Sequence, residues 1–145
     1  MKQTLLLIFS LAMRLLLAAQ TPASPVAATP DQAREATEML RQKYRLDQAQ
    51  TQKMYTIQQR KFRNLAEIEP LKTSNPALYA SKTSSIQRGT QASIRRMLNT
   101  AAQWDLYNQT QTEQRLQRQA KADALEAQGA DRASIEAAML SVYLE

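Results

Sequence analysis

The fold of this chain is decided by two segments, Leu46-Asp47-Gln48-Ala49-Gln50 and Leu98-Asn99-Thr100-Ala101-Ala102-Gln103. Each contains a leucine, a small polar residue that can cap a helix, and a glutamine three residues after that cap. The cap side chain and the glutamine side chain can each accept a bond from the other's backbone N–H, which satisfies two free donors of the first turn. The sequence therefore predicts one helix start at Asp47 and another at Thr100.

The composition favours an all-α protein with a single helical domain over residues 30–145. The 145 residues include only 2 glycines and 5 prolines, and a chain poor in both can sustain long helices. The mean hydropathy of −0.51 predicts a thin core. Four long helices in bent antiparallel hairpins, with a short helix at the C-terminal end, would suit such a core, as would a dimer.

The residue types that are missing exclude several classes of function. The chain has no cysteine and no histidine, so disulfides, thiol chemistry, the usual zinc, copper and nickel sites and a Ser-His-Asp triad are all excluded. Gly89 and Gly129 are isolated from each other and cannot form a phosphate-binding loop. The sequence therefore predicts that the protein is not an enzyme and binds neither a cofactor nor a metal.

Residues 1–19 resemble a secretory signal peptide, with an apolar run from Leu5 to Met13 and cleavage sites after Ala19 and Ala28. The uninterrupted run is much shorter than the roughly 20 residues that cross a bilayer, which favours a cleaved signal over an N-terminal anchor. We therefore expect a periplasmic or secreted protein in which residues 20–29 form a flexible tether. Cleavage would lower the net charge from +6 to +4.

Caps, prolines and glycines set the helix boundaries. The predicted helices run from residue 30 with Thr29 as cap, from 47 or 48 to about 69, from 76 with Asn75 as cap, from about 100 to about 128, and from 132 to 144. Pro70 ends the second helix, residues 71–74 form a connection, and Gly129 ends the fourth helix.

The spacing of apolar residues predicts which helix faces are buried. The predicted core positions of the second helix are Met54, Ile57, Leu65 and Ile68. Tyr55 and Phe62 flank them and are either packed or exposed for binding, and Lys61 within the arc either reaches out to water or takes part in binding. The third helix carries a weak heptad seam of Tyr79, Thr83, Ile86, Thr90, Ser93 and Met97, and the fourth carries a thin stripe of Ala102, Leu106, Glu113, Leu116, Ala120 and Ala124.

Charge is distributed unevenly along the chain. From Arg41 to Trp104, twelve basic residues stand against three acidic ones and give a net charge of +9, whereas the residues from Asp105 onward carry −3. Taken singly, such residues usually mark solvated helix surfaces. Together they indicate either a basic hairpin that attracts an anionic partner or a basic half that docks on the acidic half of a second copy.

The two opening segments also carry a family resemblance. The chain resembles the Spy/CpxP-like family of exported helical proteins, which has a repeated Leu-Thr-x-x-Gln (LTxxQ) motif at two helix starts. The first copy has Asp47 in place of the threonine, and the second has one extra residue between Leu98 and Gln103. An aspartate caps a helix as well as a threonine does, so the physical role is kept. The resemblance covers roughly residues 35–125.

This resemblance implies a protomer of four helices that pairs into an antiparallel, cradle-shaped dimer. The chaperone members hold unfolded clients on a basic concave face with apolar patches and use no ATP. Other relatives act in the envelope stress response or bind metals through histidine-containing sites, and a chain without histidine does not fit the metal-binding branch.

Two sets of candidate residues follow. The motif residues, expected to cap helices, are Leu46, Asp47, Gln50, Leu98, Thr100 and Gln103. The predicted client-binding residues are Lys53, Tyr55, Arg60, Lys61, Phe62, Arg63, Arg88, Arg95 and Arg96.

The sequence supports three alternative hypotheses about function. The first is a holdase for unfolded or partly folded envelope proteins, acting as a homodimer with no nucleic acid partner. The second is an envelope-stress regulator or adaptor that binds one folded partner. The third is weak association of the basic hairpin with an anionic lipid or polysaccharide surface.

Overall fold

The computed structural model describes residues 30–142, and throughout this range the protein is all-α, as the sequence predicts. The predicted signal peptide, tether and Thr29 cap lie outside the described residues. The helices are α1 (Pro30–Tyr44), α2 (Gln48–Ile68), α3 (Leu71–Ser74), α4 (Pro76–Met97), α5 (Ala101–Ala127) and α6 (Arg132–Ser141). None of the helices in this range is long and apolar enough to cross a membrane.

The long helices pack as a bundle around one core. α1 packs against α2 and α5, α2 also packs against α4, and α6 packs against both α4 and α5. Gln50 near the start of α2 bonds the Met97 carbonyl at the end of α4, and Arg60 further along α2 bonds Ser93. The order of these contacts shows that α2 and α4 run antiparallel.

The chain reverses between α1 and α2 within three residues. The Arg45 N–H donates to the Gln42 carbonyl at 3.4 Å, and the Leu46 N–H donates to the Arg41 carbonyl at 3.0 Å. These are the two bonds of a Schellman motif. Arg45 adopts the left-handed conformation, with φ of 51°, that glycine usually takes at this position. Leu46 then turns into the core, where it is buried.

Asp47 caps α2 as predicted. Its carboxylate accepts a hydrogen bond from the Gln50 N–H at 2.7 Å, and Gln50 Oε1 accepts one from the Asp47 N–H at 3.1 Å. The predicted stop at Pro70 is confirmed, because α2 ends at Ile68. The predicted connection over 71–74 contains one helical turn, α3, since Pro70 already has helical angles and lets the chain resume winding at once.

The start of α4 is also the predicted one. Pro76 occupies the first turn, and Asn75 Oδ1 accepts a hydrogen bond from the Leu78 N–H at 3.1 Å. The cap supplies an acceptor for one of the free N–H groups there, and proline needs none.

The polar seam of α4 faces the interior. Thr83, Thr90 and Met97 are buried, and the other seam residues are partly buried. The Thr90 hydroxyl donates to the Ile86 carbonyl at 2.9 Å. Thr83 Oγ1, by contrast, is buried and has no hydrogen-bond partner among residues 30–142. The seam therefore contains one uncompensated polar atom.

α5 begins and ends where the sequence predicts. Thr100 Oγ1 accepts a hydrogen bond from the Gln103 N–H at 3.2 Å. At the other end, Gly129 has φ of 75°, its N–H donates to the Glu126 carbonyl, and the Ala130 N–H donates to the Leu125 carbonyl. This is a second Schellman motif, here with the usual glycine.

Asp131 caps α6 and accepts a hydrogen bond from the Ser134 N–H at 2.9 Å. Hydrogen bonds from Ser134 lower the pKa of the Asp131 carboxyl, since they favour its charged form. The helix is described as far as Ser141, which is shorter than the predicted range of 132–144, and residues beyond 142 lie outside the described part.

The core lies where the two motif segments meet. Its buried members are Tyr44, Leu46, Met54, Ile57, Ile94, Met97, Leu98 and Tyr107. The predicted burial of Met54, Ile57 and Ile68 is confirmed, and Leu65 is partly buried. Both motif leucines therefore anchor their turns in the same apolar cluster.

The apolar stripe predicted for α5 was wrong. Leu116 is 60% exposed, and most of the other predicted positions are exposed as well. The buried residues are instead Gln103, Tyr107, Thr110 and Ala122. Two of these four are polar side chains that find partners inside the bundle, so the apolar residues of α5 do not mark its inner face.

Candidate functional site

The two motif glutamines meet in the interior and join α2 to α5. Gln50 Nε2 donates to Gln103 Oε1 at 3.0 Å, and Gln103 Nε2 donates to Gln50 Oε1 at 2.8 Å. The residues are only 4% and 5% exposed. Gln50 Nε2 also lies 3.2 Å from the Met97 carbonyl, and Gln103 Nε2 lies 3.4 Å from the Arg45 carbonyl. The motif therefore does more than cap its own helix, because each glutamine contacts the turn that precedes the other helix.

The extra residue of the second motif copy, Asn99, has a visible effect. The predicted capping box at Thr100 is only half formed, because Gln103 Oε1 accepts from the Asn99 N–H at 3.2 Å and not from the Thr100 N–H. Asn99 Oδ1 in turn lies 3.2 Å from Gln50 Nε2. The extra residue Asn99 thus adds a polar contact where the two motif segments meet.

The predicted client-binding residues divide between two grooves on either side of α4. The groove between α2 and α4, about 450 Å³ in volume, is lined by Arg60, Lys61 and Arg96 of the predicted set. The groove between α4 and α5, also about 450 Å³, is lined by Arg88 and Arg95. We call these the α2–α4 groove and the α4–α5 groove. The other four predicted residues line neither.

A shared hydroxyl holds the two arginines of the α2–α4 groove. Arg60 Nη2 donates to Ser93 Oγ at 2.8 Å, and Arg96 Nη2 donates to the same oxygen at 3.3 Å. The Ser93 hydroxyl donates its own proton to the Gly89 carbonyl at 2.9 Å, so its single donor and both lone pairs are in use. The two guanidinium groups are therefore held side by side across the groove.

In the described part of the chain, no carboxylate neutralises this pair of arginines. Within residues 30–142, neither Arg60 nor Arg96 takes part in an ion pair. Because the two guanidinium groups share one hydroxyl acceptor, their like charges lie close together and repel each other. An anionic group that entered the groove would remove that repulsion and gain charge-assisted hydrogen bonds.

The floor and walls of the same groove were not anticipated. Asn64, Ser85, Ile86 and Thr90 line it beside the basic residues. Gly89 leaves room in it, since a Cβ atom placed there would meet nothing within 4 Å. The sequence contains these residues, but it does not show that they line one groove. Their proximity depends on the register of α2 against α4, which no local sequence pattern determines.

The α4–α5 groove has a more aromatic character. The Arg95 guanidinium carbon lies 5.6 Å from the centroid of the Trp104 ring, and Trp104 meets the edge of Tyr107 at 6.1 Å between centroids. Burial raises the pKa of the Tyr107 phenol, with Arg95 opposing that shift. Trp104 thus covers the helix junction beside the core, and Arg95 rests on its face.

The remaining predicted residues lie on other parts of α2. Lys53 is exposed and lies seven residues before Arg60, on the same helix face. Arg63 is exposed and pairs with Glu67 at 3.8 Å, which neutralises part of its charge. Tyr55 and Phe62 are partly buried, so neither of the two predicted extremes describes them.

Lys61 lies on the inner face of α2. Its side chain lines the α2–α4 groove and also a cavity on the inner side of that helix. The Nζ atom lies 5.2 Å from the centroid of the Phe62 ring, and Lys61 forms no ion pair with any described residue. Burial lowers the pKa of the Lys61 ammonium. The sequence leaves two alternatives for Lys61: a side chain that reaches out to water, or one that takes part in binding on an exposed surface. The observed side chain is partly buried and matches neither alternative fully.

Neither groove contains the ligands of a metal site. In the described range, no three acidic residues come close enough together to hold a metal ion. The grooves offer guanidinium, ammonium, amide and hydroxyl groups, and the cationic groups among them favour anions.

No family model, curated protein or solved structure matches the chain significantly. The geometry of the grooves and the charges they carry therefore provide the basis for a functional proposal.

Proposed function

We propose that this protein is an exported, ATP-independent holdase of the Spy/CpxP-like type, which binds unfolded or partly folded proteins along α4. The observation that carries the proposal is the pair of arginines on Ser93, two fixed and unneutralised guanidinium groups in an open groove. A groove that presents fixed cations and no dedicated ligand geometry suits a partner with variable sequence.

Binding would begin with long-range attraction. The basic half of the chain, with its net charge of +9 between Arg41 and Trp104, would draw acidic segments of a client toward α4. Carboxylates of the client would then bond Arg60 and Arg96, while apolar residues pack on Ile86 in the groove wall. Such contacts are individually weak, which lets a client leave and refold.

The α4–α5 groove has a related role in the proposed binding of clients. Arg88 and Arg95 provide two more cations in the α4–α5 groove, beside Tyr107. Aromatic surface next to arginine suits exposed apolar and aromatic residues of an unfolded chain. In the proposed dimer, the two copies of α4 would present four grooves to one client. The export that the N-terminal segment suggests would place this dimer in the periplasm or outside the cell.

The test is suppression of the aggregation of a chemically unfolded client, measured by light scattering at low and at high salt. We expect suppression at substoichiometric protein and a weaker effect at high salt, because ions screen the attraction. In the double variant Arg60→Gln/Arg96→Gln, the concentration needed for half suppression should rise by about fivefold.

The matched control is Arg34→Gln/Arg132→Gln. It removes the same amount of charge, but Arg34 pairs with Asp31 and Arg132 with Glu136, away from both grooves. The control should behave like the unaltered protein. An equal loss in both double variants would mean that net charge alone acts, and no suppression at equimolar protein would overturn the holdase proposal.

The two alternatives give different results in the same study. A regulator or adaptor would show one saturable folded partner and no general client binding. Association with a membrane surface would show co-sedimentation with anionic lipid vesicles but not with neutral ones.

A further inference from the structure

A cavity lies among the helices of the bundle, on the inner side of α2, and adjoins the α4–α5 groove, with which it shares Gln91, Tyr107 and Gln111. Its volume is about 240 Å³, and residues of α1, α2, α4 and α5 line it. A cavity of about 150 Å³ lined by apolar side chains accommodates benzene, so this one has room for a ligand of roughly ten non-hydrogen atoms. Four helices surround it, but it is partly open to solvent, since Met39 at its edge is 55% exposed, so a bound ligand would be only partly removed from water.

The walls of this interior cavity differ in polarity. α1 contributes the apolar side chains Ala36, Met39 and Leu40, whereas α4 and α5 contribute amides and hydroxyls such as Gln87 and Gln111. A purely apolar cavity stays dry and binds apolar molecules. A cavity with one apolar and one polar wall fits a molecule that has an apolar body and a polar head.

Three polar groups at the cavity lack adequate partners among residues 30–142. Gln114 Oε1 is buried and has no hydrogen-bond partner in the described range. Gln58 is 2% exposed, and among the described residues its Nε2 atom bonds the Met54 sulfur alone, at 3.5 Å. Lys61 has no carboxylate partner among the described residues. All three residues line the cavity.

Each of these three groups requires a particular kind of hydrogen-bonding or ionic partner. The Lys61 ammonium carries only donors and attracts an anion, and the Gln58 amide offers further donors. Gln114 Oε1 is an acceptor and needs an O–H or N–H group. Leaving a buried polar atom without a partner costs about 1–3 kcal/mol, so a ligand that supplies the missing groups recovers that free energy.

We propose that the interior cavity binds a small amphipathic carboxylate that also carries a hydroxyl or amide hydrogen. The carboxylate bonds Lys61 and Gln58, the hydroxyl or amide hydrogen bonds Gln114, and the hydrocarbon part packs on Met39 and Leu40 of α1. The other lysine of the cavity, Lys43, is paired with Glu113 at 3.9 Å, so Lys61 is the cation left to receive the head group. This site goes beyond client binding in the grooves beside α4, although Lys61 lines both the cavity and the α2–α4 groove.

The experiment is titration of the full-length protein by calorimetry with four probes of similar length: 3-hydroxyoctanoate, octanoate, octanol and octylammonium. We expect 3-hydroxyoctanoate to bind most tightly, octanoate to bind about fivefold more weakly for want of one hydrogen bond, and octanol to bind more weakly still. Octylammonium should not bind, since it places a second cation beside Lys61.

Two variants test the proposed contacts of the ligand with Lys61 and Gln114. Lys61→Met keeps the length of the side chain and removes the charge, and it should weaken binding of both carboxylates by about tenfold. Gln114→Met should abolish the preference for 3-hydroxyoctanoate over octanoate while leaving octanoate binding unchanged. The controls are Lys82→Met and Gln117→Met, which replace exposed residues outside the cavity and should change neither affinity.

Three results would overturn the proposal. The first is an absence of binding by every probe, which would mean that only water fills the cavity. The second is equal binding of octanoate and octylammonium. The third is carboxylate binding that Lys61→Met leaves unchanged in a variant whose circular dichroism and melting temperature show that it is folded. Because Gln114 lies outside both grooves, the result with Gln114→Met does not depend on the holdase proposal.

Discussion

Gln50 and Gln103 exchange two hydrogen bonds, of 3.0 and 2.8 Å, across the interior of the protein. Fifty-three residues separate them along the chain, so the pair fixes the relative position of two helix starts. Each glutamine also bonds its own cap region, which ties the local capping geometry to the long-range contact. The register of α2 against α5 thus depends on two side chains.

The first prediction concerns this pair. Gln50→Met and Gln103→Met should each lower the free energy of unfolding by about 2–3 kcal/mol, because each leaves a buried amide without its partner. The double variant should lose less than the sum of the two, since the second substitution removes the amide that the first left unsatisfied. Urea denaturation of the four proteins measures this coupling. Gln52→Met, at an exposed position of α2, serves as the control, and additive losses would contradict the prediction.

The second prediction concerns the unsatisfied hydroxyl in the α4 seam. Thr83→Val should raise the free energy of unfolding by about 1 kcal/mol, because it removes a buried oxygen that has no partner in the described structure. Thr90→Val is the matched control at the next buried threonine, whose hydroxyl bonds Ile86, and it should change stability little. Thermal unfolding of both variants provides the measurement. A loss of stability in Thr83→Val would show that the hydroxyl has a partner, such as water.

The third prediction compares the two glycines of the chain. Gly89→Ala should stabilise the protein by about 0.5–1 kcal/mol, since alanine is the better helix former and its methyl group meets open space at this site. Gly129→Ala should destabilise it by about 1 kcal/mol, because φ of 75° disfavours a residue with a Cβ atom. Chemical denaturation of the two variants should give opposite signs. Equal signs would contradict the assignment of Gly129 to the end of α5.

The fourth prediction is a pH dependence. The pKa of Lys61 is lowered from 10.5 by burial, so in the range between its folded and unfolded pKa values the unfolded chain binds more protons. In that range stability should rise with pH, and Lys61→Met should flatten the rise. Unfolding free energies measured just below pH 10.5 test this. Tyrosines also begin to titrate there, so the readout is the difference in slope between Lys61→Met and the unaltered protein. Lys82→Met is the control, and an identical slope in Lys61→Met would contradict the cause assigned here.

Local signals predicted the helix boundaries well. Asp47, Pro70, Asn75-Pro76 and Gly129 each act at short range, through a cap, a missing N–H or a left-handed turn, and each lies where the sequence predicts. The all-α fold follows from the same signals. Among the helix boundaries within residues 30–142, Arg45 departs from local preference, because it takes a conformation that glycine usually takes.

Long-range features were less predictable. The inner face of α5 could not be found from apolar spacing, because two of its buried residues are polar: Gln103 bonds Gln50, and Thr110 bonds the Leu106 carbonyl one turn earlier in α5. The division of the basic surface into two grooves depends on where α4 sits between α2 and α5. The interior cavity depends on the packing of four helices at once, and no single segment of the sequence encodes it.

The Gln50–Gln103 junction has a further consequence for the behaviour of the protein in solution. The groups that join the two helix starts are amides and backbone carbonyls, which neither gain nor lose protons. The groups that line the outer surface of α4 include several full positive charges. In the proposed holdase, a rise in ionic strength or protonation of a partner's carboxylates would weaken the contacts at the surface and leave this junction of the scaffold unchanged, so release of a partner would not require the protein to open.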